Sequence, residues 1–408
     1  MNKHYNKNPF VRYTILFLLL VASYFTFAVF SAFLPDRAIH RHVDEAAVML
    51  FVAGNYPKAL IDEEVCQMDN FTDALILNQI HSIDRHQPVR SAMRMTRWQA
   101  EPFADQTSSL YWKTLGATGL QSEDYCHYWH GSSFLYRFLL LFFSFSQMKL
   151  LMYFTIMLLM FFFFRSYYPL AGLWNSLAFL LSWLLVYGFV MPASLQFFPI
   201  LAVSLLASLL VIRFRKSPET LGMVFFVAAS LSAYFDLLTV PLLSFGWPFA
   251  VWLTLPDKKE LTIQEGLRNM LVCGLLWVAG YALTFLAKWF LAAVILGFGV
   301  LPGAFEAGLY RVGAEDFSRW DAIMKNVRML TYNVMLLVAL VYVVVRFLRS
   351  RGSFGVRDVL LLIIALMPYL WYFVLSNHSY EHFWFTYRLQ AITICAVLMA
   401  LVGAPRRA

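Results

Sequence analysis

Two uncharged stretches constrain this chain more than any other feature. Residues 13–35 contain no Asp, Glu, Lys or Arg, and neither do residues 170–212. About 20 apolar residues cross the ~30 Å hydrocarbon core as a helix, and inside that core a helix satisfies its own backbone N–H and C=O groups. The first stretch has room for one such helix and the second for two. Composition agrees: 60% of the residues are hydrophobic, 14% are charged, and the mean hydropathy is +0.63. Soluble domains sit nearer ~45–50% apolar and ~25% charged. The expectation is an all-α, polytopic transmembrane bundle. The first stretch is too long for the apolar core of a cleavable signal and has no A-x-A-like site after it, so it reads as the first span.

About ten spans are predicted: 13–35, 148–164, 170–190, 195–212, 219–236, 238–256, 269–292, 326–345, 358–376 and 385–403. Both termini, 1–12 and 404–408, then face the cytoplasm. Segment 36–147 forms a large first extracytoplasmic loop, and 148–403 forms the bundle. This threading places half of the 32 lysines and arginines in short inward segments, as the positive-inside rule requires. Most of the 24 carboxylates fall on the other side, chiefly in 36–132 and 302–325. The net charge of +8 is largely orientation and calls for no nucleic-acid partner. Segment 134–147 is apolar but too short to cross alone, and it carries Arg137, so it reads as a helix in the outer interface. There is no repeat. Cys273 and Cys395 fall in spans, while Cys66 and Cys126 share the first outer loop, where a bridge is one option.

Chemistry-bearing residues cluster on the acidic side. Asp44-Glu45 opens an amphipathic stretch and suits either a general base, a divalent cation or a helix N-terminus. In "QMDNFTDALILNQI", Asp69 and Asp73 are four apart and share a helical face, where like charges repel. They are either a shared ligand site or the start of a helix capped by Asp69 or Thr72. "EDYCHYWHGSSFLYR" gathers Asp124, His127, His130 and Arg137. Asp236, Lys288 and Arg388 lie inside or at the edge of spans, where a charge is costly and usually has a task, although Lys and Arg can also snorkel. "SNHSYEHFWFTYR" contains His378, Glu381 and His382 in the H-x-x-E-H spacing of inverted zinc peptidases. No acid follows in the remaining chain to complete that metal site. The favoured reading is a cationic rim of His378, His382, Arg388 and Lys288 that binds a phosphate. No metal is assigned.

A first span, a large acidic outer loop, an interfacial helix and a cationic outer edge together resemble the GT-C superfamily of membrane glycosyltransferases. "VDEAAVMLFVAGNYP" looks like the acidic-pair motif of its mannosyl- and aminoarabinose-transferring branch, with Ala46-Ala47 where those enzymes carry an aromatic or basic residue. The segments "DNFTD", "YWHG", "YFD", "AKW" and "NHSYEHFWFTYR" look more like a group of bacterial multispanning proteins of the same kind. The resemblance implies a polyprenyl-phosphate-linked sugar as donor and an envelope glycan, lipid or protein as acceptor, in the cell membrane. Asp69, Asp73 or Asp44 would be the base. Arg137, His130, Asp236, Lys288, His378, His382 and Arg388 would hold substrate and phosphate. No cofactor is assigned, and a divalent cation is one option. The rival classes are a transporter or flippase of an anionic or lipid-linked substrate, and a non-catalytic subunit of a polysaccharide assembly system. Against transport, the chain shows no two matching halves with broken spans.

Overall fold

The structure is a computed structural model that describes residues 8–101, 105–258, 260–314, 316–332, 339, 341–345 and 355–402. Six of its helices are long and apolar enough to cross a membrane. The first is α1, Pro9–Ala32, begun by the Asn8 side chain and by Pro9 in the first turn. The expected span 148–164 and most of the span 170–190 lie in α7, Phe145–Leu184, whose 40 residues are started by a Ser144–Gln147 capping box; residues 185–190 lie beyond its end. Gly172 sits inside α7 at φ 78, ψ 174, which breaks the helix. The two halves fold back on each other there, since the Phe163 and Phe179 rings are only 4.3 Å apart. Sixteen residues of straight helix would separate them by ~24 Å.

Next come α8, Phe197–Arg213, and α9, Pro218–Phe235, followed by the short α10, Leu243–Leu253. The expected span 238–256 is therefore only partly helical. Its first residues make a turn in which Leu238 has φ 68. The longest uninterrupted helix is α11, Ile263–Leu296, opened by a Thr262–Glu265 capping box. It is followed by α12, Val300–Val312, and α13, Arg319–Arg328. The expected span 326–345 is described at residues 326–332, 339 and 341–345; most of the inward segments 1–12 and 346–357, and the tail 404–408, lie outside the described residues. The stretch Val356–Val374 is α14, Val356–Ala365, and α15, Met367–Val374, with Pro368 at the break. Two short turns, α16 (Ser376–Glu381) and α17 (Phe383–Thr386), lead into α18, Gln390–Val402.

The loop between the first two spans folds into a cap over one end of the bundle. It contains α2 (Asp36–Ala53), α3 (Asn70–His81), α4 (Pro88–Arg94), α5 (Gln106–Thr114) and α6 (Gly131–Leu139). A small antiparallel ladder, absent from the sequence reading, pairs β1 (Thr96–Gln99) with β2 (Gln121–Asp124) and sets Arg97 opposite Glu123. The expected interfacial helix 134–147 is shorter than predicted, because the chain turns after Leu139 and restarts at Phe145. Gly131 lets α6 lie against α9, since a Cβ there would run into the Tyr234 ring and its carbonyl. Cys66 and Cys126 are both free.

Candidate functional site

Under the cap, where α3 meets the turn after α9 and the α16–α17 turns, lies a cavity of about 140 Å³. Its aromatic walls include Tyr56, Phe71, Tyr125, Tyr128 and Trp384. Its polar lining comes from Thr72, Arg97, Gln196, Arg311, His378 and His382. Arg97 is delivered by β1 and ion-pairs with Glu123 across the ladder at 2.7 Å. Arg311 closes α12, with its guanidinium 5.3 Å over the Tyr128 ring and beside the Tyr125 phenol. Among the described residues no carboxylate pairs with Arg311, and none lines the cavity.

Arg311 and Tyr128 also line a second space, an almost wholly apolar groove of about 420 Å³ between α11, α12 and α15. Trp371 and Val374 of α15 continue it into an apolar trough of about 630 Å³ bounded by α11 and α10. The combined furrow follows α11 from Leu267 to Trp289. That is roughly 33 Å at 1.5 Å per residue, about the thickness of a hydrocarbon core.

The sequence-predicted residues divide into two groups. His378 and His382 do reach the cavity, their rings 5.0 Å apart. His378 Nε2 donates to the Leu238 carbonyl at 2.7 Å, which positions it. Burial lowers the pKa of both imidazoles, so the pair is neutral in the empty cavity rather than cationic as expected. The zinc alternative finds no support in the geometry: Glu381 accepts from the Tyr310 hydroxyl, and among the described residues no three metal-ligating groups converge.

Lys288 and Arg388 do not join the rim. Lys288 is fully buried in α11 and its Nζ donates to the Met93 carbonyl at 3.0 Å, tying that span to α4. Arg388 is buried beneath the cap, 5.1 Å over the Phe197 ring, with one guanidinium N–H donating to the Val65 carbonyl at 3.4 Å. Arg137, also expected to bind substrate, is a buried clamp. It donates to the carbonyls of Ser31, Ile80 and Leu34 at 3.0, 2.9 and 3.2 Å and pairs with Asp36, so its donors are spent on α1, α2 and α3. His130 is buried too. Its Nε2 donates to the Tyr125 carbonyl at 2.7 Å and its Nδ1 has no partner among the described residues.

The acids are placed as follows. Asp69 caps α3, accepting from Thr72 N at 3.1 Å and from the Gln196 side chain, and both partners line the cavity. Burial, with Asp73 nearby, raises the Asp69 carboxyl to about 7. Asp73 faces away from the cavity. It pairs with Lys149 at 2.7 Å and accepts from Leu195 N at 2.8 Å. The like-charged pair therefore grips consecutive residues, 195 and 196, and a lysine compensates the second charge. Asp44 lies on the outer side of the cap, half-exposed, 3.6 Å from His81, which burial holds down at about 4. Being neutral near pH 7, His81 makes no ion pair with it. Asp236 caps the end of α9, just behind the cavity wall formed by Leu237. Arg97, Arg311, Tyr125, Tyr128 and Gln196 went unread in the sequence. A single arginine ending a short amphipathic helix carried no local signal.

Compared with protein-family models, curated proteins and solved structures, the chain matches none of them.

Proposed function

We propose that this chain is a membrane glycosyltransferase that moves a sugar from a polyprenyl-phosphate carrier to a hydroxyl of an extracytoplasmic acceptor, a cell-envelope glycan, lipid or protein. One observation carries the reading. An apolar furrow about as long as the hydrocarbon core is thick ends at Arg311 and Tyr128, and these same two residues open onto a polar, aromatic-walled cavity beneath the cap. A long hydrocarbon tail suits the furrow, a phosphate suits an arginine without a carboxylate partner, and a sugar ring suits aromatic faces with amide and hydroxyl groups between them. In this reading attack at the anomeric carbon inverts it. Arg311 then stabilises the charge that grows on the departing phosphate. The base is an acid just behind the cavity wall, where Asp69 and Asp236 stand.

The test is reconstitution. Purified protein in lipid nanodiscs is offered polyprenyl-phosphate hexoses and a panel of envelope acceptors, and the product is followed by mass spectrometry. New glycosidic product that disappears in Arg311→Ala supports the reading. Binding of polyprenyl phosphate with no transfer or hydrolysis from any donor argues against it.

A further inference from the structure

The geometry points to Asp236, rather than an acid of the first outer loop, as the group that accepts the proton of the attacking hydroxyl. This rests on the glycosyltransferase reading and adds to it the identity of the base. Asp236 is 1% exposed. Its Oδ1 accepts from Thr239 N at 3.0 Å and from the Thr239 hydroxyl. Its Oδ2 is buried and accepts no well-aligned hydrogen bond among the described residues, with only the backbone N–H groups of its neighbours Leu237 and Leu238 turned toward the carboxylate. A buried carboxylate oxygen left without a donor is costly, so such a group marks a place where a partner is to arrive. Asp69, the nearest rival, has both oxygens occupied by Thr72 and Gln196.

The turn that carries Asp236 is held under strain at the junction of the two spaces. Leu238 adopts φ 68, a region a leucine rarely enters. His378 grips its carbonyl, and Ser132 of α6 donates to the Phe235 carbonyl at 2.6 Å. Leu237 lines the polar cavity while Leu238 lines the apolar groove. Tyr281 of α11 lines the groove together with Tyr128 and Leu238, and its hydroxyl is likewise buried without a hydrogen-bond partner among the described residues. Two buried, unpaired oxygens thus belong to residues at the junction of the two spaces, Asp236 one position before Leu237 of the cavity wall and Tyr281 in the lining of the groove. In the step, the acceptor hydroxyl gives its proton to Oδ2, directly or through one water. Its oxygen lone pair forms the bond to the anomeric carbon. The bond from that carbon to the phosphate oxygen breaks with its electrons going to the phosphate, which leaves as polyprenyl phosphate beside Arg311.

Asp236→Asn separates a catalytic role from a structural one. The amide keeps the oxygen that Thr239 holds and disturbs no existing hydrogen bond at Oδ2, so a structural residue would tolerate it. We expect polyprenyl phosphate to bind as in the wild type while transfer slows ~10²–10⁴-fold. Asp236→Asn transferring at the wild-type rate overturns the proposal and leaves the glycosyltransferase reading standing; a wild type that never transfers overturns that reading itself. Should Asp236→Asn fail to accumulate, Thr239→Ala serves. It removes a donor to the ionised form, so the acidic limb of the pH–rate profile moves to higher pH, with Tyr128, Tyr281, His378 and Arg311 unchanged around it. An unmoved limb overturns the assignment.

Discussion

Two arginines, Arg137 buried and Arg311 partly buried, illustrate how different the same residue type can be. Arg137 has three backbone carbonyls and Asp36 as partners, whereas Arg311 has the two tyrosines and its own helix. Removing Arg137 orphans groups that cost about 1–3 kcal/mol each, so Arg137→Ala should fail to accumulate in the membrane, and lysine, lacking the fork, should not restore it. Arg311→Ala should accumulate normally and lose affinity for polyprenyl phosphate by ~10–100-fold, the value of a charge-assisted hydrogen bond. Immunoblotting of membranes together with lipid titration distinguishes the two. Asp69 supplies the pH prediction. Its carboxyl sits at about 7 in the folded cap, above the usual carboxylate value, because burial disfavours the charge. Below about 4 the folded and unfolded chains are both protonated and nothing is lost. As pH rises from about 4 to 7 the unfolded chain releases the proton first, so the folded state grows progressively less favoured. Asp69→Asn, which keeps an N-cap, should therefore melt at a higher temperature than the wild type at pH 8, and the advantage should vanish near pH 4.

At the scale of elements, the start of α3 was legible in the sequence, while its partners were not. Asp69 opening a helix was one of the two readings offered by "QMDNFTDALILNQI", and it is an N-cap in the structure. The second half of that signal, two like charges on one face, resolves as a grip on residues 195 and 196, a segment more than a hundred residues away that local spacing cannot reveal. The reversal of α7 is set by Gly172, whose added Cβ would meet no atom within 4 Å. Gly172→Ala should cost only the penalty of placing a Cβ at φ 78, ψ 174, about 1–3 kcal/mol. Gly131→Ala should cost more, because the Tyr234 backbone carbonyl cannot step aside. Thermal unfolding of both variants in detergent measures the order.

For the whole molecule, the cap and the opposite turns of the bundle should lie on different sides of the membrane. Arg85→Cys, on the cap, should react with an impermeant thiol reagent on intact cells, and Lys216→Cys only after permeabilisation. The reverse pattern would invert the topology. The helical, membrane-crossing character was legible from apolar run lengths, because in hydrocarbon each span must satisfy its own backbone and so writes its length locally. The arrangement of spans was not legible. Lipid tails are as apolar as leucine, so no hydrophobic difference separates the packed face of a span from its lipid face. Nothing in the apolar residues of α11 announced which side forms the furrow. The histidines at 378 and 382 were readable because they fall in a short polar stretch between two apolar runs. Arg97 and Arg311 enter the same cavity from a strand and a helix end over two hundred residues apart, and only the packing of the cap onto the bundle brings them together.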